Sequence, residues 1–144
     1  LKTRIVRIFN TYGPHMNKND GRVVTNFISQ ILDNKPITIY GDGSQTRSFQ
    51  YIDDLLDGIT KLMKTDYIYP VNIGNPNEIT VKNLALTLIK LTNSKSIFIY
   101  KPLPLDDPTN RNPDIQLAKK ILNWQPKIDL EKGLLKTIEY LKNM

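Results

Sequence analysis

The chain has 144 residues, 40% of them hydrophobic and 24% charged, which fits a globular protein and excludes a disordered or collagen-like polymer. It has no cysteine and one histidine, His15, which argues against a disulfide framework and a bound metal and predicts a reducing, cytoplasmic compartment. The net charge of +6 would suit an anionic ligand, but most lysines lie on the polar sides of predicted helices, which favours a solvated surface over a nucleic-acid patch. No apolar run is long enough to span a membrane, so we predict no membrane partner.

Hydrophobic patterning divides the first half of the chain into alternating strands and helices. β-branched and aromatic runs predict strands, and apolar residues at three-and-four spacing predict helices. In chain order these are a strand at residues 4–9, a turn at 10–14, a helix at 23–32, a strand at 37–40, an extended run at 48–51 and a helix at 53–64. Acidic Asp53 and Asp54 lie near the positive end of that last helix.

The second half continues the alternation. A strand is predicted at residues 70–74, a helix capped by Thr80 at 81–89, a strand at 96–100, a proline-rich loop at 101–113, a helix capped by Asp114 through 122 and a last helix at 130–141. Alternating strands and helices predict an α/β fold. The strands are few for a self-sufficient sheet, so we expect the first strand to be exposed and the chain to be part of a longer protein.

A glycine-containing loop follows the second strand. Gly41-Asp42-Gly43-Ser44-Gln45-Thr46 resembles the start of a Gly-x-Gly-x-x-Gly dinucleotide-binding loop, but the third glycine is missing. We therefore predict a tight turn in which glycine supplies a positive φ.

Two arginines have the chemistry to hold a diphosphate. Arg47 ends the glycine-containing loop, and Arg111 lies in the proline-stiffened stretch; a guanidinium presents a planar fork of donors suited to pyrophosphate. For Arg47, the residue chemistry leaves a surface arginine as an equal alternative. Other candidates are interpreted without a chemical role. We expect His15, Asp106 and Asp107 to face solvent and Trp124 to pack in the interior.

Several motifs resemble the C-terminal half of extended short-chain dehydrogenases/reductases acting on nucleotide sugars, within the NAD-dependent epimerase/dehydratase family. Asn10-x-Tyr12-Gly13-Pro14 and Gln45-x-Arg47 are typical of the whole family. Asp20-Gly21-Arg22-Val23-Val24 and Asp106-Asp107-Pro108-x-x-Arg111-x-Pro113-Asp114 are narrower. They are most similar to the members that decarboxylate UDP-glucuronate.

The resemblance implies that residues 1–144 are the last strands of a Rossmann-type fold plus the smaller substrate-binding subdomain, without the N-terminal NAD-binding half. The implied activity is oxidation of the sugar at C4 with NAD, loss of the C5 carboxylate as carbon dioxide, and re-reduction to UDP-xylose. Two alternatives remain open: a nucleotide-sugar 4,6-dehydratase or 4-epimerase, and a non-catalytic nucleotide or nucleic-acid binding module. A dehydratase typically carries Glu-Lys-Leu after Tyr-Gly-Pro, which this chain lacks.

The resemblance also implies roles for individual residues. Those expected to contact the UDP-sugar are Asn10, Asn26, Tyr40, Arg47 and Arg111, and those expected to contact NAD are Thr11 and Arg22. No tyrosine of the chain is followed four positions later by lysine, so the family's Tyr-x-x-x-Lys catalytic pair is not among these residues. We expect no catalytic residue here, no turnover by these 144 residues alone, and a homodimer as the full-length protein.

Overall fold

A computed structural model describes residues 2–104 and 111–144 of the chain. Asp106 and Asp107, which are expected to face solvent, lie outside the described residues. The strands are β1 Val6–Ile8, β2 Thr11–Tyr12, β3 Ile37–Tyr40, β4 Thr46–Ser48, β5 Gln50–Tyr51, β6 Val71–Ile73, β7 Glu78–Thr80 and β8 Phe98–Lys101. The helices are α1 Val23–Leu32, α2 Ile52–Met63, α3 Val81–Thr92, α4 Gln116–Leu122 and α5 Leu130–Lys142. The predicted α/β class is confirmed.

Most strand pairing is parallel. β1 pairs with β6, β2 with β5 and β3 with β8 in parallel, whereas β4 and β7 are antiparallel. Parallel strands need a connection long enough to return the chain to the same end of the sheet, and helices in these connections cover the strands. As expected, β1 is exposed: Ile8 retains 55% of its accessible surface.

The hydrophobic interior has two clusters. The larger one packs α1 and α3 against β3 and against α5, with Ile37 and Ile39 fully buried. The smaller one surrounds β6 between α2 and α4. Trp124 is 1% exposed in the smaller cluster, and its indole Nε1 donates to the Asp54 carbonyl oxygen at 3.0 Å, which confirms Trp124 as a packing residue.

β4 includes Thr46 and Arg47, which the prediction placed in the glycine-containing loop, and ends at Ser48, the first residue of the predicted extended run. Two further short strands were not predicted. β2 lies within the expected turn at residues 10–14 and pairs with β5, and β7 pairs with β4. Both are too short to give a periodic pattern, so partners distant in sequence define them.

The start of α3 agrees with the prediction, whereas the start of α4 differs from it. Thr80 caps α3 as predicted, accepting the Asn83 backbone N–H at 3.1 Å. The cap of α4 is Ile115 rather than Asp114. Asp114 still accepts the Gln116 N–H at 2.8 Å from one residue further out, because a short carboxylate reaches the N–H two positions ahead. Gly41 and Gly43 have φ of 66° and 78°, as predicted for a tight turn.

Candidate functional site

A cavity of about 660 Å³ lies where β1, the start of α1, β3 and β4 meet. Every residue predicted to bind the UDP-sugar or NAD lines it. The lining residues are Ile8, Phe9, Asn10, Thr11, Met16, Gly21, Arg22, Val23, Val24, Asn26, Phe27, Gln30, Thr38, Tyr40, Gln45, Arg47, Phe49, Val81, Lys101 and Arg111. Residues scattered over the sequence therefore share one concave surface of the size that small ligands occupy.

The charged side chains that line this cavity are all basic among the described residues. Arg22, Arg47, Lys101 and Arg111 line it, and no aspartate or glutamate does so among the described residues. Cations gathered in a concave, partly apolar site raise the local concentration of anions. The cavity is therefore suited to a negatively charged ligand.

Arg47 is the most buried of these cations. It lies in the middle of β4, it is 8% exposed, and its Nη1 donates to the Thr46 carbonyl oxygen at 2.7 Å. Burying a guanidinium is costly unless its donors are satisfied. Arg47 is therefore not a surface arginine, and its contact with a diphosphate stays a prediction.

Arg111 is exposed, but its backbone is held firmly. The Ser48 hydroxyl donates to the Arg111 carbonyl oxygen at 3.0 Å. Two residues later Pro113 packs on Gly74, where an added Cβ would lie 2.8 Å from the proline Cγ. Gly74 therefore allows the close approach that keeps this segment against the end of β6.

The Thr11 side chain belongs to a buried hydrogen-bond network. Its hydroxyl donates to the Phe9 carbonyl oxygen at 2.8 Å and accepts from Gln50 Nε2 at 3.0 Å. Gln50 is fully buried, and its Nε2 also donates to the Ile73 carbonyl oxygen at 3.0 Å. Because the Thr11 hydrogen is used inside the protein, its hydroxyl can offer a ligand only its remaining acceptor capacity.

Arg22 and Asp20 form a pair next to Thr11. Arg22 donates to Asp20 Oδ2 through Nε at 2.7 Å and through Nη2 at 2.5 Å, and its Nη1 lies 3.4 Å from the Thr11 carbonyl oxygen. Burial alone would raise the pKa of Asp20, but hydrogen bonds from Thr25 and Arg22 outweigh it and lower that pKa. The carboxylate therefore stays ionised and fixes the direction of the Arg22 guanidinium.

The remaining predicted residues lie around the same cavity. Asn26 Nδ2 donates to the Gly21 carbonyl oxygen at 2.8 Å. Asn10 is half-buried, and its backbone carbonyl oxygen accepts the Gln50 backbone N–H at 2.9 Å. Tyr40 ends β3 and is 42% exposed. Gln45 Nε2 donates to the Tyr40 carbonyl oxygen at 2.8 Å.

Sequence reasoning assigned no contact to four other polar lining residues, Gln30, Thr38, Gln45 and Lys101. Gln30 bonds both the hydroxyl and the backbone N–H of Thr38, at 3.2 and 3.0 Å. Lys101 ends β8 directly beside Tyr40 in the parallel register. Recognising Lys101 required the pairing of β3 with β8, since carboxyl ends of parallel strands meet at one edge of a sheet.

His15 does not line the cavity. It is exposed, and its ring centroid lies 4.9 Å from that of Tyr140. Within residues 2–104 and 111–144, no group of three or more His, Cys, Asp or Glu side chains is arranged to hold a metal ion. No helix in that part of the chain is long and apolar enough to cross a membrane.

Comparison with known sequences gives a consistent picture. The profile of the NAD dependent epimerase/dehydratase family matches residues 1–74. The chain is 48% identical to UDP-glucuronic acid decarboxylase 1 of Arabidopsis thaliana over 143 residues, which are 99% of this chain and 33% of that protein. It is 49% identical to UDP-glucuronic acid decarboxylase 1 of Danio rerio over 97% of this chain and 34% of that protein. The chain thus spans about a third of the length of the curated relatives that it matches.

Solved structures share the fold. UDP-glucose 4-epimerase from Thermotoga maritima, with UDP-glucose, superposes with a TM-score of 0.93 at 31% identity over 97% of this chain and 46% of that one. UDP-glucuronic acid 4-epimerase from Bacillus cereus, in complex with UDP-glucuronic acid and NAD, superposes with a TM-score of 0.92 at 29% identity. The match covers 99% of this chain and 46% of that one. The arrangement of elements is therefore that of part of the Rossmann-type epimerases.

Proposed function

Because the chain belongs to the NAD dependent epimerase/dehydratase family, we propose that it supplies the UDP-sugar-binding half of an enzyme that decarboxylates UDP-glucuronate to UDP-xylose. The observation that carries this proposal is the single cavity lined by Arg47, Arg111 and the other predicted contact residues. The 48% identity to a UDP-glucuronic acid decarboxylase across 99% of the chain supports the choice of reaction.

In this proposal Arg47 and Arg111 bind the diphosphate and Tyr40 lines the nucleotide end of the cavity. Charge-assisted hydrogen bonds of this kind contribute about 1.5–3 kcal/mol each to the binding of a diphosphate. Binding energy gained on UDP keeps the sugar in one position while its bonds change. The chain's own residues therefore act by binding and orienting the substrate.

The proposed reaction begins when the C4 hydroxyl loses its proton and the C4 carbon loses a hydride, so that C4 becomes a ketone. This ketone is β to the carboxylate, so it accepts the electron pair released when the bond from C5 to the carboxylate carbon breaks and carbon dioxide leaves. Protonation at C5, followed by return of a hydride to C4 and of a proton to the C4 oxygen, gives the xylose product. The chemistry supplied by bound NAD is the reversible exchange of that hydride.

The donor set next to Thr11 fits a dinucleotide. Arg22 is oriented by Asp20 and keeps 59% of its side chain exposed, so its guanidinium is accessible to a phosphate. Thr11 lies beside it and can accept one more hydrogen bond. We propose that these two residues contact NAD.

The test is to incubate the complete gene product with NAD and UDP-glucuronate labelled with ¹³C at the carboxyl carbon. We expect labelled carbon dioxide and a pentose nucleotide identified by NMR. Retention of the label in every product would contradict decarboxylation.

A 4-epimerase is the second candidate, because UDP-sugar 4-epimerases superpose with TM-scores of 0.92 and 0.93. Epimerisation inverts C4 and keeps the carboxylate. The same experiment separates the two, since an epimerase yields a labelled uronic acid with inverted C4.

We also propose that the full-length protein is a homodimer in the cytoplasm. The absence of cysteine from the sequence fits a reducing compartment. Light scattering on the complete gene product measures the oligomeric state, and a monomer at micromolar concentration would contradict the dimer.

A further inference from the structure

The two arginines of the cavity belong to segments that are far apart in the sequence. Arg47 lies on β4, and Arg111 lies in the irregular segment before α4. A diphosphate needs both guanidiniums at a fixed separation, because each fork of donors must meet its own phosphate oxygens. The contacts that join the two segments therefore matter for binding.

One carboxylate joins them. The Thr46 hydroxyl donates to Glu78 Oε1 at 2.6 Å, and Asn112 Nδ2 donates to Glu78 Oε2 at 3.1 Å. Thr46 directly precedes Arg47, and Asn112 directly follows Arg111. Each oxygen of Glu78 thus holds the neighbour of one arginine.

The strand register explains why Glu78 reaches both. β4 and β7 are antiparallel, with Ser48 opposite Glu78 and Arg47 opposite Ile79. Side chains alternate along a strand, so Thr46, Ser48 and Glu78 share one face of this pair. Ser48 bonds the Arg111 carbonyl oxygen from that same face.

We infer that Glu78 is a positioning residue that sets the separation of Arg47 and Arg111 and thereby the affinity for the diphosphate of the substrate. This inference rests on the proposed function. Glu78 acts through the two neighbouring residues and does not line the cavity itself. Its reach matters more than its charge, since both of its partners donate hydrogen bonds.

Substitutions at Glu78 distinguish reach from charge. Glu78→Asp keeps the charge but is one methylene too short to span both partners, whereas Glu78→Gln keeps the length. For loss of one bridging hydrogen bond we expect about a three- to tenfold rise in the dissociation constant for UDP in Glu78→Asp and Glu78→Ala. Glu78→Gln should stay closer to the wild type, because the Asn112 amide can turn to complement it.

The measurement is calorimetric titration of UDP into the complete gene product, with KM and kcat for UDP-glucuronate measured in parallel. We expect KM to rise and kcat to change little. Glu139→Gln, an exposed glutamate on α5, is the control. Asn112→Ala removes the same bridge from the other side and should weaken UDP binding in the same way.

A double-mutant cycle tests whether Glu78 acts through Arg111. In an Arg111→Ala background, Glu78→Ala should have a much smaller effect than in the wild type. Equal effects in both backgrounds, or tighter UDP binding by Glu78→Gln as expected for mere repulsion of an anion, would overturn the inference. These results leave the proposed function intact, which fails separately if the wild type neither binds UDP nor decarboxylates UDP-glucuronate.

Discussion

Asp20 shows how one residue links the electrostatics of the cavity to the stability of the protein. Its hydrogen bonds with Thr25 and Arg22 lower its pKa below the ordinary value of 3.8, so the folded state favours the ionised form. A carboxylate with a lowered pKa stabilises the fold above its unfolded-state pKa, and this contribution disappears as the pH falls through the folded-state pKa.

We therefore predict that Asp20→Asn lowers the free energy of unfolding by about 1 kcal/mol at pH 7, and that the difference from the wild type shrinks below about pH 4. Urea denaturation at several pH values measures this. The control is Asp57→Asn, which removes only a partly exposed i,i+4 pair with Lys61. A difference that grows as the pH falls would contradict the assignment.

At the scale of elements, Asp54 attaches the loop before α5 to α2. Its side chain is 6% exposed, and its two oxygens accept the backbone N–H groups of Lys127 and Ile128, each at 3.0 Å. The sequence predicted only a favourable charge near the start of α2. The long-range role was invisible because its partners lie more than seventy positions away.

We predict that Asp54→Ala lowers the free energy of unfolding by about 3 kcal/mol, because two backbone N–H groups lose charge-assisted acceptors. Asp53→Ala is the matched control, since Asp53 is exposed in the same helical turn and should cost less than about 1 kcal/mol. Equal losses in chemical denaturation would mean that the two aspartates act only through the helix dipole.

Gly133 lets α5 approach the β2–β5 pair closely. An added Cβ there would lie 2.8 Å from Tyr51 Cδ2 and would also collide with the Tyr12 hydroxyl. Alanine favours helices over glycine by about 1 kcal/mol, so an unhindered site would gain stability. We predict instead that Gly133→Ala lowers the melting temperature while Lys132→Ala next to it does not; a stabilised Gly133→Ala would show that α5 can shift at little cost.

Sequence patterning predicted most helices and several strands of this fold well. The helices α1, α2, α3 and α5 and the strands β3 and β6 carry strong apolar periodicity or β-branched runs, and the structure has them where the pattern indicates. β2 and β7 have two and three residues and form only through pairing with distant strands, so no local pattern reveals them. The family resemblance predicted seven of the cavity-lining residues, but Lys101 and the bridging Glu78 could be recognised only from the strand register.

At the scale of the whole molecule, the described residues form one cavity lined by basic side chains, and the sequence lacks the Tyr-x-x-x-Lys pair. No tyrosine in the sequence has a lysine four positions later. We predict that a polypeptide of these 144 residues releases no carbon dioxide from UDP-glucuronate with NAD present, whereas the complete gene product does. Turnover by the 144-residue polypeptide in a labelled-carboxylate assay would contradict this division of roles.

The measurement that tests the cavity assignment most directly is calorimetric titration of the complete gene product with UDP, uridine and duplex DNA at two salt concentrations. We predict that UDP binds at least about tenfold more tightly than uridine, because the arginines add charge-assisted bonds to the diphosphate. Arg111→Ala should abolish most of this difference, and Arg7→Ala, an exposed arginine on β1, should preserve it. Equal affinities for UDP and uridine, or salt-dependent DNA binding without UDP binding, would contradict the account.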